Sequence, residues 1–187
     1  PVDRRQRQMC IRDRYYITTA RLEPYKRIDL IVDAFNNINE ELYIVGDGST
    51  KKRLKAKANE NIKFYDFLDA ESVMNLVSKA KAFIHAGVED FGIAPVEAQC
   101  CGTPVIAFNK GGVSETVVNG KTGVLFEHQT AGAILDAIKR FNKIKFNYRL
   151  ISEHAGNYSE EKFIANIKKY IESKLHNLKD NNEKEKG

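Results

Sequence analysis

No apolar run in this chain of 187 residues approaches the roughly 20 residues that a membrane-spanning helix needs, and no signal-peptide pattern is visible. Cysteine is scarce. Cys10, Cys100 and Cys101 are an odd number without metal-ligand spacing, which argues against a metal cluster and for reduced cytosolic thiols. Charge imbalance is small as well: 30 Lys and Arg against 25 Asp and Glu leave a formal +5, little support for nucleic-acid binding. There is no internal repeat and no hairpin signal, so an antiparallel meander and a solenoid both fit poorly.

Even the small positive charge is unevenly placed. Residues 1–14 contain five Arg and no Lys, whereas residues 15–187 contain five Arg and twenty Lys. The change of basic-residue usage marks 1–14 as non-native sequence or a basic interdomain linker, and its charge of +3 leaves only +2 for the remainder. Residues 15–178 form the expected domain, and the polar, charged segment 179–187 is expected to be disordered.

What is present is an alternation of short apolar runs with amphipathic stretches, the pattern of a parallel sheet covered by helices on both faces. Strands are expected at 15–19, 42–45, 62–65, 82–85, 104–107 and 123–126. Helices are expected at 27–38, 50–59, 70–79, 94–101, 112–118 and 130–142, with two further C-terminal helices at 148–155 and 159–178. Asp69 has the chemistry of an N-cap for the helix at 70. Ser159-Glu-Glu-Lys162 puts acids in the first turn of the last helix, and Phe163, Ile164, Ile167, Ile171 and Leu175 give that helix an apolar stripe. The fold class is therefore α/β, a doubly wound parallel sheet, and 187 residues suffice for one such domain with a full core.

The most informative stretch is Glu89-Asp-Phe-Gly-Ile-Ala-Pro-Val-Glu97. It follows a strand and opens a helix: Pro95 fits a first turn, where its absent N–H costs nothing, and Gly102 stops the run of helix formers. Free N–H groups and the macrodipole at such a helix start attract anions. The two flanking carboxylates would repel a bare phosphate yet accept hydrogen bonds from hydroxyls. A ligand with phosphate at one end and sugar hydroxyls at the other suits both features. A nucleotide sugar is such a ligand.

The spacing of these two acids resembles the E-x7-E motif of retaining GT-B glycosyltransferases, the family that includes bacterial mannosyl- and glucosyltransferases. Four further segments resemble the same family in the same order: Thr19-Ala-Arg-Leu-Glu-Pro-Tyr-Lys26, Val45-Gly-Asp-Gly48, the pair Ala98-Gln-Cys-Cys-Gly-Thr-Pro-Val-Ile-Ala107 and Gly111-Gly-Val-Ser-Glu115, and Asn119-Gly-Lys-Thr-Gly123. The wording around Glu89 is closest to mannosyltransferases of bacterial surface polysaccharide. The resemblance implies the Rossmann-like C-terminal half of a GT-B fold, with the acceptor domain lying outside this chain. It implies a hexose moved from a nucleoside diphosphate, GDP-mannose first among candidates, to a glycan or lipid-linked acceptor with the anomeric configuration kept. No bound cofactor or metal is implied. The expected location is cytoplasmic, with peripheral attachment at the inner membrane left to the other domain, and the fragment alone is expected to be inactive.

Residue by residue, the resemblance assigns Arg21 and Lys26 to the donor diphosphate, with Lys26 favoured over its neighbour Arg27. It assigns Glu97 to the ribose hydroxyls and Glu89 to the transferred sugar, and the backbone N–H groups of Phe91, Gly92 and Ile93 to phosphate and sugar. Asp66 stands where the family often has glycine, at its usual base contact. Gly46-Asp-Gly48 reads as a tight strand-to-helix turn, His85 as a core or loop histidine with sugar contact as the alternative, and Glu115 as a structural cap. Cys100 and Cys101 have no base placed by motif, so nucleophilic catalysis is not expected. Two other functions fit the same residues: a sugar-nucleotide epimerase of similar architecture, and a non-catalytic nucleotide-sugar-binding module.

Overall fold

A computed structural model describes residues 15–184; the expectations for 1–14 and for the last three residues lie outside them. The chain divides into two compact units after Ala155. In the first, six parallel strands, β1 (Tyr15–Thr19), β2 (Glu41–Val45), β3 (Ile62–Tyr65), β4 (Phe83–His85), β5 (Val105–Phe108) and β6 (Gly123–Phe126), form one sheet in the order 3-2-1-4-5-6. Helices α1 (Ile28–Phe35), α2 (Lys51–Lys57), α3 (Ala70–Lys79), α4 (Ile93–Cys100), α5 (Val113–Thr116) and α6 (Ala131–Phe141) connect or follow the strands, and α7 (Tyr148–Ala155) closes the unit.

Alternation along each strand explains why both faces are covered. In β1, Tyr16 points into one core with Ile31, Phe35 and Phe141, while Tyr15 and Ile17 point into the other with Phe83, Ala98 and Val113. On that second face β1, β2 and β3 carry a ladder of rings. Tyr15 stacks on Tyr43 with centroids 3.9 Å apart, and Tyr43 packs against Tyr65 at 5.2 Å. The Tyr15 hydroxyl donates to the Leu76 carbonyl at 2.7 Å, anchoring α3 against this edge. Asp69 caps α3 as expected, accepting from the Ser72 N–H at 2.9 Å, and that bond holds its carboxyl below its ordinary range.

The chain runs outward through β1, β2 and β3, then returns across to β4 on the other side of β1. Strand order therefore reverses between β1 and β4, the switch point at which open α/β sheets offer a crevice beyond the carboxyl ends of their strands.

The second unit is a short 3-10 turn at Gly156–Tyr158 followed by α8 (Glu160–Lys184). Glu160 and Glu161 occupy its first turn, where the helix dipole favours acids. The helix runs past the expected end at Leu178, because Lys179-Asp-Asn-Asn-Glu-Lys184 contains no glycine or proline to stop it. No described helix is long and apolar enough to cross a membrane.

Candidate functional site

The loops leaving β1 and β4 emerge side by side. A Cβ built on Gly87 would lie 3.2 Å from the Lys26 Cα and 3.2 Å from the Tyr25 carbonyl, a tight fit that shows how closely the two loops pass. A 3-10 turn at Pro24–Lys26 presents Lys26, and its ammonium forms an ion pair with the carboxylate of Glu89. Both side chains are mostly withdrawn from solvent, at 17% and 23% exposure, so water weakens this pair less than a surface one. Arg27 turns the other way: its backbone is left-handed at φ 54°, and its guanidinium reaches Asp29 and Gln129. Lys26 and Arg27, neighbours in sequence, therefore have different partners.

Glu89 is held by its backbone from a third loop. Gly111, at φ 76°, pairs with it in a parallel bridge, and the Gly112 N–H donates to the Glu89 carbonyl at 2.8 Å. A Cβ on Gly111 would fall 2.3 Å from that carbonyl oxygen, which is why glycine stands here. Two residues after Asp90, Gly92 at φ 82° occupies the N-cap of α4 and offers no side chain to its first N–H groups. The amides of Ile93 and Ala94 therefore open the helix without a side-chain acceptor from the cap, while Phe91 and Ile93 expose their side chains. Glu97 lies one turn into α4 on its exposed face.

His85 ends β4 directly beneath this arrangement. It is 7% exposed, and its Nε2 has no hydrogen-bond partner among the described residues. Burial, helped by the nearby Lys26 ammonium and opposed by Glu89, lowers its pKa to about 4. The imidazole is thus neutral near pH 7 and belongs to the edge of the core, with a nitrogen to spare.

Arg21 opens on a neighbouring cleft. This hollow of about 700 Å³ lies beyond β1, β2 and β3, lined by Thr19, Ala20, Arg21, Val45 to Gly48, Phe67, Leu68 and Val73. The Arg21 side chain is exposed and has no ion pair among the described residues. Phe67 stands at the lip with 88% of its surface exposed, while Val45 forms part of the buried floor. At the mouth, Lys51 forms ion pairs with Asp66 and with Asp47, the latter at 3.4 Å. The Asp66 bond is the main cause that raises the Lys51 ammonium above its ordinary value, and Lys51 in turn lowers the Asp66 carboxyl. Asp66 thus fastens the loop after β3 to the start of α2.

The structure therefore brings Lys26 and Glu89 into contact and places Phe91, Gly92 and Ile93 at the start of the helix that follows. It sets Arg21 in the adjoining cleft, which neither Lys26, Glu89 nor Glu97 lines. Sequence reading kept Lys26 and Glu89 in separate roles and gave no sign that they pair. It also gave no sign of Gln129, whose amide bonds the Ala86 carbonyl at 2.7 Å. The thiol of Cys100 is pushed up in pKa by burial and by Glu97. Among the described residues no group of three His, Cys, Asp or Glu could hold a metal ion.

A doubly wound parallel sheet in the order 3-2-1-4-5-6, with helices on both faces, defines a Rossmann-like domain. The chain belongs to the glycosyl transferases group 1, which it matches over residues 3–169. It is similar to a GDP-mannose-dependent monoacylated alpha-(1-6)-phosphatidylinositol monomannoside mannosyltransferase of Corynebacterium glutamicum. The two are 35% identical over 124 residues, covering 58% of this chain and 32% of that protein. In structure it resembles the lipopolysaccharide outer core galactosyltransferase WaaB, with TM-score 0.75 and 22% identity over 86% of this chain and 49% of the other. It also resembles Anabaena Alr3699/HepE in complex with UDP and glucose, with TM-score 0.65 and 23% identity over 88% and 48%. The chain thus spans about half the length of those two structures and a third of the curated relative. Members of this family are glycosyltransferases, and the GT-B likeness expected from the motifs holds for the fold.

Proposed function

We propose that this domain binds the nucleoside-diphosphate part of a sugar donor along the carboxyl rim of the sheet, and that the whole protein transfers the hexose with retention of configuration. The observation that carries this reading is the shielded ion pair of Lys26 with Glu89, whose loop leads three residues later to Gly92, the N-cap of the uncapped α4, where strand order reverses. Lys26 and the amides of Gly92, Ile93 and Ala94 suit a pyrophosphate, and Arg21 supplies a planar fork from the side of the cleft. The cleft, with exposed Phe67 at its lip and carbon in its floor, suits the nucleoside. Glu97 serves the ribose, and Glu89 the hydroxyls of the sugar.

Catalysis in this scheme is electrostatic. As the bond from the anomeric carbon to the diphosphate breaks, negative charge accumulates on the departing oxygens. In this scheme Lys26, Arg21 and the α4 amides stabilise that charge as it develops. Glu89 faces the positive charge growing on the sugar. The acceptor in this scheme is the hydroxyl of a glycan or lipid-linked molecule, held by a part of the whole protein outside this span.

GDP-mannose is the favoured donor, supported by the specificity named for the Corynebacterium relative and by the wording around Glu89. Melting temperature measured with GDP, UDP, ADP, GDP-mannose and UDP-glucose tests the reading. A bound nucleotide at a hundred times its Kd stabilises by about 2.7 kcal/mol, a rise of several degrees. The expected order is GDP and GDP-mannose above UDP and ADP. Absence of a shift with every nucleoside diphosphate would overturn the donor-binding reading.

A further inference from the structure

Lys26 and Glu89 stand on different loops, and something must set the distance between those loops. We propose that Arg27 and Gln129 are positioning residues for the donor diphosphate: together they bridge the loop of Lys26 to the loop of Glu89 and hold both in register with α4. The inference rests on the donor-binding reading above and adds residues to it.

The bridge is built from three segments far apart in sequence. The Arg27 Nη1 donates to the Gln129 Oε1 at 3.2 Å, across 102 residues of chain. The Gln129 Nε2 donates to the Ala86 carbonyl at 2.7 Å, across 43. Arg27 is covalently next to Lys26, and Ala86 lies between His85 and the turn that leads to Glu89. One side-chain amide therefore ties the two loops whose charged tips meet. Its own support is firm: Gln129 immediately precedes Thr130, which caps α6 by accepting from the Ala133 N–H at 3.2 Å, and Ile134, Ala137 and Ile138 on that helix are buried.

One further feature makes the bridge costly to keep and another makes it costly to lose. Arg27 is the one described non-glycine residue with positive φ, a conformation that disfavours any side chain bearing a Cβ. Glycine would meet that backbone without strain, so the side chain must earn its place by what it touches. Asp29 receives both the Nε, at 3.2 Å, and the Nη2, at 3.4 Å, which fixes the guanidinium plane and aims the remaining nitrogen at Gln129. At the other end Ala86 is 1% exposed, so without Gln129 its carbonyl would lose a hydrogen bond that water cannot readily replace. Neither Arg27 nor Gln129 has to touch the donor for this to work; a shift of the Lys26 loop against the amides of α4 is enough to misplace a pyrophosphate.

The test is calorimetric titration of the full 187-residue chain with GDP and with GMP. A residue that positions the diphosphate site should matter more when the second phosphate is present. Gln129→Ala is expected to lower GDP affinity about ten-fold, the scale of one charged hydrogen bond, with GMP affinity changed less than about two-fold. The ratio of the two affinities therefore falls, which a general loosening of the fold would not cause. If Gln129→Ala fails to fold, Arg27→Gly removes the bridge from its other end while suiting the left-handed backbone, and the same fall in ratio is expected. An unchanged ratio, including an equal loss for both nucleotides, overturns the positioning role while leaving the donor-binding reading intact. A parent chain that binds neither nucleotide overturns both.

Discussion

The two ends of the sheet solve the same problem in opposite ways. At the amino ends of β2 and β3 the turns are rich in asparagine, and their side chains close the local hydrogen bonding. The Asn61 amide serves the carbonyls of Phe35, Ile38 and Glu40 at 2.9, 3.2 and 2.8 Å. Asn36 and Asn59 bond each other's backbones, at 2.9 Å from the Asn59 N–H and 3.2 Å from its side-chain amide. At the carboxyl end, by contrast, α4 starts on a glycine without a capping side chain, His85 keeps a buried nitrogen without a partner, and Lys26 and Glu89 concentrate charge in a half-shielded place. Loops that satisfy themselves contribute stability. Loops that leave donors and charges available can receive a ligand, and the fold keeps the two kinds apart on opposite edges.

The comparison can be broken in three places. The largest effect is expected at the amino end, where Asn61→Ala removes the side-chain donor to three partly buried carbonyls, leaving Phe35 only its 3.4 Å bond from the Ile38 N–H, and should cost about 3 kcal/mol in chemical denaturation. Its GDP affinity should match that of the parent; a loss of affinity there would mean that the two edges are not independent. Next is Lys26→Ala, expected to weaken GDP binding by roughly 2 kcal/mol while lowering unfolding stability by less than about 1 kcal/mol, since its ion pair is not fully buried. Equal affinities for folded parent and variant would remove Lys26 from the phosphate site. The smallest effect is in pH dependence. Below the ordinary histidine value of 6.5 the unfolded chain takes up a proton that folded His85, with a pKa of about 4, refuses. Stability is therefore full above that value and is lost as pH falls through the window. From pH 6.5 to 5 the parent should lose about 1.5 kcal/mol more than His85→Gln. Parallel pH profiles for the two proteins would show that the imidazole is not shielded as the structure has it.

Much of the architecture was legible because it depends on local signals. Short apolar runs flanked by turn residues gave the bounds of β1, β3 and β6 to the residue, and the Asp69 cap gave those of α3. Helix ends were read less well where tertiary contacts intervene. The helix expected from 27 to 38 runs only from Ile28 to Phe35, because Arg27 is left-handed and the Asn36 amide turns to the Lys57 carbonyl. The helix expected from 112 to 118 shrinks to Val113–Thr116, where Val117 is extended and the Val118 N–H is taken by the Thr122 hydroxyl. At the site, motif order pointed to Glu89 and Lys26 singly. Their contact spans 63 residues of chain, and Gln129 bonds Arg27 across 102 and Ala86 across 43, so neither relation leaves a mark in local spacing. Asp66 is instructive in a different way: its departure from the familiar glycine was readable, but its capture by Lys51 was not.

That last contact makes the lip and the bed of the cleft respond to different surroundings. Asp47 and Asp66 are largely in water, so dissolved ions compete directly with their hold on Lys51, whereas Val45 answers to temperature and to the exclusion of water instead. Concentrated salt would slacken the entrance and leave the floor unaltered, so the composition of the surrounding fluid can alter access to the cleft without redrawing its base.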